Sequence, residues 1–317
     1  MRTAFIRTLT ESAASDPRVT LLVGDLGFGV VTDFARRFPG QFFNAGVAEQ
    51  NMTGVAAGMA LAGKIVFTYS IANFPTLRCL EQIRNDVCYH HANVVIVAVG
   101  GGFSYGAVGA THHATEDLAI LRSLPEMTVI APGDPSETAA ATRAAAAGMG
   151  PVYLRLGRAG EPVVHRGPIS LSVGKALMVR QGNDLTLVST GGMLQTAVQT
   201  AEALGARGLS VRVLSMHTLK PLDTEAIYSA AKETRRVVTL EEHSILGGLG
   251  GAVAEVLCEA GIPNVRFLRL GLPSRFNKVV GGQEYLRKIY HLDVGSITAR
   301  LTEFCRADAS APLRKAA

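Results

Sequence analysis

The run Val94-Val95-Ile96-Val97-Ala98-Val99, closed by Gly100-Gly101-Gly102, has no polar alternation and is β-branched almost throughout. Such a strand must be covered on both faces, the condition of a central strand in a parallel sheet flanked by helices. Shorter runs of the same kind, Val19 to Val23, Ile65 to Thr68, Thr128 to Ala131 and Val152 to Leu156, alternate with helical stretches. The predicted class is therefore α/β with a mostly parallel sheet. In such sheets the reactive groups collect at the carboxyl ends of the strands. The glycine triplet opens a loop that reaches His112 and His113, which puts both at that mouth, and Glu116 to Leu124 reads as a short helix.

Between Gly157 and Gly174 the periodicity stops, and Gly160, Pro162, Gly167 and Pro168 mark a linker. Afterwards the alternation restarts with Leu185 to Val188, a helix from Met193 to Gly205, Ser210 to Leu214, a helix near Thr224 to Lys232, and Val237 to Leu240. Two consecutive α/β domains follow, 1–160 and 174–306, joined by 161–173 and trailed by a disordered Ala-, Ser- and Pro-rich tail over 307–317. A length of 317 residues suits two domains.

The net charge of +5 comes without a block of Lys or Arg and without any Trp, so nucleic acid is not an expected partner. No apolar run is long enough for a bilayer. Cys79, Cys88, Cys258 and Cys305 lack paired short spacings, which favours reduced thiols and a cytoplasmic protein. The pairs His90-His91 and His112-His113 have no carboxylate or thiolate at zinc spacing, so no metal ligand is expected.

The heptapeptide Gly46-Val47-Ala48-Glu49-Gln50-Asn51-Met52 sets a carboxylate at the start of a helix read over Ala48 to Gly63. Gly54, Gly58 and Ala62 recur every four residues, giving one stripe almost no side chain and letting another backbone approach it. Glu49 would then sit near a tight interface. The helix N-terminus favours its ionised form and desolvation the protonated one, so the carboxyl can share a proton with a bound base.

Four landmarks occur in order: Gly24-Asp25-Leu26-Gly27, Phe43-Asn44-Ala45 leading into that heptapeptide, Gly109-Ala110-Thr111-His112-His113, and Leu154-Arg155-Leu156-Gly157-Arg158. Together they resemble the transketolase family, which uses thiamine diphosphate. The resemblance spans nearly the whole chain but only that family's pyrimidine-binding and C-terminal domains. The Gly-Asp-Gly motif of its diphosphate-binding domain does not occur in this sequence. The resemblance therefore implies the C-terminal subunit of a split transketolase, with the diphosphate and magnesium held by an N-terminal partner subunit. It also implies a homodimer contact through the small-residue stripe within an α2β2 assembly, and sugars or sugar phosphates as substrates.

By the same resemblance Glu49 is the carboxyl that bonds the aminopyrimidine ring nitrogen, and Phe74 is the aromatic against that ring. Ile71 stands where relatives often carry a second aromatic. Asp25 matches an acidic position beside the cofactor, with a turn Asp making local backbone bonds as the close alternative. His112 matches a histidine that contacts a substrate oxygen, and the role of His113 is open. Arg158 matches an arginine that grips substrate phosphate; Arg155 competes for that part, and either could instead bridge the domains. Val108 replaces an Asp that holds a substrate hydroxyl in many transketolases, and a phosphate-side histidine is replaced within Gly100-Gly101-Gly102. The segment Glu241 to Gly251 offers only a weak dinucleotide-like pattern. The implied activity is transfer of a two-carbon ketol unit to an aldehyde. The rivals are the β subunit of a 2-oxo acid dehydrogenase, a 1-deoxyxylulose-5-phosphate synthase-like enzyme, and a catalytically silent assembly subunit.

Overall fold

The computed structural model describes residues 1–148 and 150–306, so the tail expected over 307–317 lies outside the described residues. Twelve strands among these residues form two sheets. In chain order they are β1 (Val19–Val23), β2 (Phe42–Asn44), β3 (Ile65–Ile71), β4 (Val94–Val99), β5 (Thr128–Ile130), β6 (Val152–Leu156), β7 (Leu177–Arg180), β8 (Leu185–Ser189), β9 (Val211–Ser215), β10 (Thr218–Lys220), β11 (Arg236–Ser244) and β12 (Arg266–Leu272). The first sheet runs β10-β5-β6-β4-β3-β1-β2 and the second β12-β11-β8-β9-β7. Each is parallel except at one edge, where β10 pairs antiparallel with β5 and β7 with β9. The expected class, two α/β units with mostly parallel sheets flanked by helices, is what the chain adopts.

Every residue of β1, β4, β6, β8 and β9 is buried, as their mainly apolar character requires, and this includes Arg155 in β6 and Arg212 in β9. Helices Arg2–Ser15 and Pro135–Ala146 cover one face of the first sheet through Phe5, Leu9, Ala141 and Ala145. The core on its other face contains Leu22, Ile96 and Tyr153 and continues without a break into Val188, Leu214 and Val253 of the second unit. The two units therefore share a core. β10 adds a second tie, because residues from the C-terminal half complete the N-terminal sheet.

Two of the helix starts are capped as short polar residues dictate. Asp134 accepts a bond from Glu137 N at 2.8 Å, and Asp223 accepts one from Ala226 N at 3.1 Å. The segment predicted as linker is irregular, yet it is held: Val164 N and His165 N both donate to Asp134 Oδ2.

The topology decides where chemistry can gather. From β1 the chain moves to the sheet edge at β2 and then returns past β1 to β3, so the switch point lies between the carboxyl ends of β1 and β3. That crevice is where ligands bind in open α/β sheets.

Candidate active site

Helix Glu49–Leu61 begins five residues beyond β2, with Ala48 as its N-cap residue and Gly46 turning the chain at φ 72°. This start carries Glu49 back to the switch point. The Glu49 side chain is 2 % exposed. A Cβ placed on Gly24, the residue after β1, would lie 3.5 Å from Glu49 Cγ and 3.6 Å from Ser70 Oγ of β3, so the carboxyl packs between the ends of these two strands. Glu49 Oε2 accepts a 2.7 Å bond from Arg78 Nη1, and the Arg78 side chain is 48 % exposed. The Ser70 hydroxyl is buried and has no hydrogen-bond partner among the described residues.

The turns after β3 present Phe74 half-buried. The Arg78 guanidinium carbon sits 5.0 Å from the centre of its ring, and the His112 imidazole meets it edge-on at 5.2 Å. His112 ends a short 3-10 turn in the loop after β4, and its Nδ1 lies 3.0 Å from Thr111 Oγ1. Asn73 fixes that loop by donating to Thr111 O at 3.2 Å and His113 O at 2.6 Å. Tyr105 packs on the far side of His112, with ring centres 6.4 Å apart, and the exposed Arg158 lies 5.2 Å over the Tyr105 ring. Glu49, Phe74, His112 and Arg158, far apart in sequence, thus form one line at the carboxyl ends of neighbouring strands, linked by Arg78 and Tyr105. Ile71 ends β3 half-buried. Phe74, Arg78 and Thr111 also border a cavity of about 440 Å³ whose other wall includes Ser244, Arg275 and Tyr290 of the second unit.

Residues 1–161 match the family described as the transketolase pyrimidine-binding domain, and residues 174–297 match the transketolase C-terminal domain. The chain belongs to the transketolase family. It is 39 % identical over 307 residues to one of the subunits of the apulose-4-phosphate transketolase of Phocaeicola vulgatus, covering 96 % of this chain and 97 % of that one. It is 38 % identical over 298 residues to the 6-deoxy-6-sulfo-D-fructose transketolase subunit SqwH of Clostridium sp. strain MSTE9, covering 94 % and 92 %. Its fold matches a solved structure described as a split gene transketolase, inactive beta4 tetramer, with a TM-score of 0.88 and 40 % identity over 95 % of this chain and 97 % of that one.

Within this transketolase-family chain the two arginines of β6 and its end separate cleanly. Arg155 is no candidate for substrate: its side chain is 5 % exposed and it donates from Nε to Asp117 Oδ2 at 2.7 Å and from Nη2 to Ala114 O and, across the domains, to Glu242 O. Tyr153 donates to the same Asp117 oxygen at 2.6 Å. Burial pushes the Asp117 carboxyl up, but Arg155, His243 and the Tyr153 hydroxyl together outweigh it and leave the group below its ordinary value. Asp25 lies in the bend after β1 and bonds the Asn44 side chain at the end of β2. Its backbone N donates to Asn44 Oδ1 at 3.1 Å, its Oδ1 accepts from Asn44 Nδ2 at 2.9 Å, and it is exposed one residue beyond Gly24.

His113 turns inward, with Nε2 3.2 Å from Gly106 O and its ring edge-on to Phe103 at 5.1 Å. Gly54 and Gly58 would meet nothing within 4 Å if each carried a Cβ, so the small-residue stripe faces outward from this chain. Glu241 sits near the weak glycine pattern and caps helix Leu249–Ala260 from below, accepting from Leu249 N and Gly250 N at 2.7 Å each. Burial drives its carboxyl up to about 7 against those two donors. No helix among the described residues is long and apolar enough to cross a membrane.

Sequence reasoning missed Arg78, Asn73 and Tyr105. Phe74 and Arg78 are four residues apart, which suggests a shared face, but the turns that aim Arg78 at Glu49 have no sequence periodicity.

Proposed function

We propose that this chain is the C-terminal subunit of a thiamine diphosphate-dependent transketolase, which moves a two-carbon ketol unit from a ketose to an aldehyde and works with an N-terminal subunit. The observation that carries the reading is Glu49, a buried carboxylate at a helix start and a sheet switch point, joined through Arg78 to an aromatic ring and an imidazole. The residues fit one end of the cofactor: Glu49 accepts from a ring nitrogen, Phe74 offers a stacking face, and Ser70 has a buried hydroxyl still to satisfy. When bound, thiamine diphosphate supplies a thiazolium carbon that acts as a nucleophile once its proton is lost.

Glu49 then holds and exchanges a proton at the ring nitrogen, as a general acid–base group must. Phe74 holds the ring plane, with Ile71 and Asp25 beside it. His112 holds or moves a proton at a substrate oxygen. Arg158 reaches into solvent, where its planar fork suits a phosphate. We assign the diphosphate and its magnesium to the partner subunit. The relative from Phocaeicola vulgatus, matched over 97 % of its length, is itself named as one subunit of its transketolase, and the solved split-gene relative is an inactive tetramer of β chains. We place the small-residue stripe at a contact between two copies within an α2β2 enzyme, in the cytoplasm.

Val108 stands 53 % exposed beside the same loop, where it offers a substrate hydroxyl no hydrogen bond. The natural substrate is accordingly an unusual or modified sugar, as an acceptor without a hydroxyl beside the aldehyde or a donor held differently; the two relatives named above act on apulose 4-phosphate and 6-deoxy-6-sulfo-D-fructose by their names. The test is ketol transfer by the chain reconstituted with its N-terminal partner, using a panel of acceptors compared by kcat/KM. Ketol transfer that depends on thiamine diphosphate supports the reading, and Val108→Asp should then shift the ranking towards hydroxylated acceptors. Decarboxylation of pyruvate in place of ketol transfer would assign the pair to the 2-oxo acid dehydrogenase or deoxyxylulose-phosphate branch. A clear preference for ribose 5-phosphate over all alternatives would remove the substrate proposal.

A further inference from the structure

The Glu49–Arg78 pair is lopsided. The carboxylate is 2 % exposed and the arginine 48 % exposed, although the bond between them is 2.7 Å long. A buried carboxylate left alone is costly, so Glu49 must always have a partner; the arginine can return to water at little cost. The other groups around Glu49 are the Cys79 thiol, pushed up by burial and by Glu49 itself, the Ser70 hydroxyl from β3 and the Gly24 backbone from β1. Among the described residues Arg78 is the one cation paired with it.

The same guanidinium lies over Phe74. It is flat, it donates N–H bonds in its plane, and it rests on an aromatic face. A protonated aminopyrimidine ring has those three properties too. We propose that Arg78 is a placeholder: in the free chain it makes the contacts to the Glu49 carboxylate and the Phe74 face that the cofactor ring takes over, and it leaves both when that ring arrives. The proposal rests on the reading of Glu49 and Phe74 given above.

A proton must accompany the exchange. Once Arg78 withdraws, the buried negative charge is offset only if one proton comes to lie between Glu49 and the ring nitrogen, so binding takes a proton from solvent. With Arg78 replaced by an uncharged side chain, the buried carboxyl acquires that proton before binding.

The experiment is calorimetry of thiamine diphosphate with magnesium binding to the reconstituted enzyme, in buffers of different ionisation enthalpy near neutral pH. Wild type should take up about one proton per site more than Glu49→Gln. Arg78→Met should bind about fivefold more tightly, equivalent to about 1 kcal/mol, with uptake lowered towards the Glu49→Gln level. Arg78→Lys, which keeps the charge, should retain the uptake. Equal or weaker binding by Arg78→Met, with Glu49→Gln still lowering the uptake, would overturn the placeholder and leave Glu49 in its role. If Glu49→Gln matched wild type in both affinity and uptake, the reading of Glu49 would itself be wrong, and the placeholder with it.

Discussion

Two arginine–carboxylate bonds of 2.7 Å, Arg155–Asp117 and Arg78–Glu49, serve opposite ends. At the domain interface the charged groups have several partners each, although they border a cavity of about 190 Å³. Arg155 bonds Asp117, Ala114 O and Glu242 O, while the Glu242 carboxylate takes Phe103 N, Gln283 and Arg287. At the mouth of the first sheet the partners are few among the described residues: Arg78 bonds Glu49 and lies over Phe74, and the exposed Arg158 lies over Tyr105. A saturated pair fixes geometry, because removing one partner strands the other. An unsaturated pair can exchange partners, which is what a binding site needs.

The comparison breaks first at Glu49. Glu49→Gln keeps a hydrogen bond to Arg78 but no exchangeable proton, so turnover of the reconstituted enzyme should fall by about 100-fold or more. Its thermal unfolding should stay near that of wild type; a full loss of folded protein would place Glu49 with the structural pairs. The mirror substitution, Arg155→Met, leaves Asp117 buried without its cation and should cost about 3–5 kcal/mol in denaturant unfolding. If stability held and only substrate KM rose, Arg155 would belong at the mouth.

Glu241 sharpens the interface side through pH. Its carboxyl is raised from 4.5 to about 7 by burial, so between those values the folded chain keeps a proton that the unfolded chain has released. Its contribution to stability is present at the acid end of that window and is lost as pH rises through it. The neighbouring His243 is lowered by burial and acts in the other direction below 6.5. Glu241→Gln should therefore make Tm rise more, or fall less, across that window than in wild type; parallel profiles would remove Glu241 as a titrating group. The smallest effect belongs to Phe74→Ala, which should weaken cofactor binding about fivefold, near 1 kcal/mol of stacking, with little change in Tm. An unchanged affinity would return Phe74 to the core.

The main strands were legible because a parallel sheet buried on both faces leaves mainly apolar runs, and β1, β4 and β6 begin and end where those runs do. β10 was not: its three residues are an antiparallel edge supplied by the other half of the chain, and no local pattern announces that. Glu49 was legible because the heptapeptide Gly46 to Met52 sets it at a helix start, within the ordered landmarks of the family. Arg155 and Arg158 were not separable, since both lie at one strand end and only the neighbouring Asp117 distinguishes the buried arginine from the free one. Arg78 depends on how the turns after β3 fold back over the switch point, which is tertiary information.

The central claim is that this chain presents one half of a cofactor site, organised by Glu49. The most direct measurement is thiamine diphosphate binding, with magnesium, to the purified chain and to the chain mixed with its N-terminal partner, each with Glu49 and with Glu49→Gln. The account predicts weak binding to the chain alone, tight binding to the mixture, and a marked loss of that binding on Glu49→Gln. Tight binding and ketol transfer by the chain alone, or a mixture indifferent to Glu49→Gln, would contradict it.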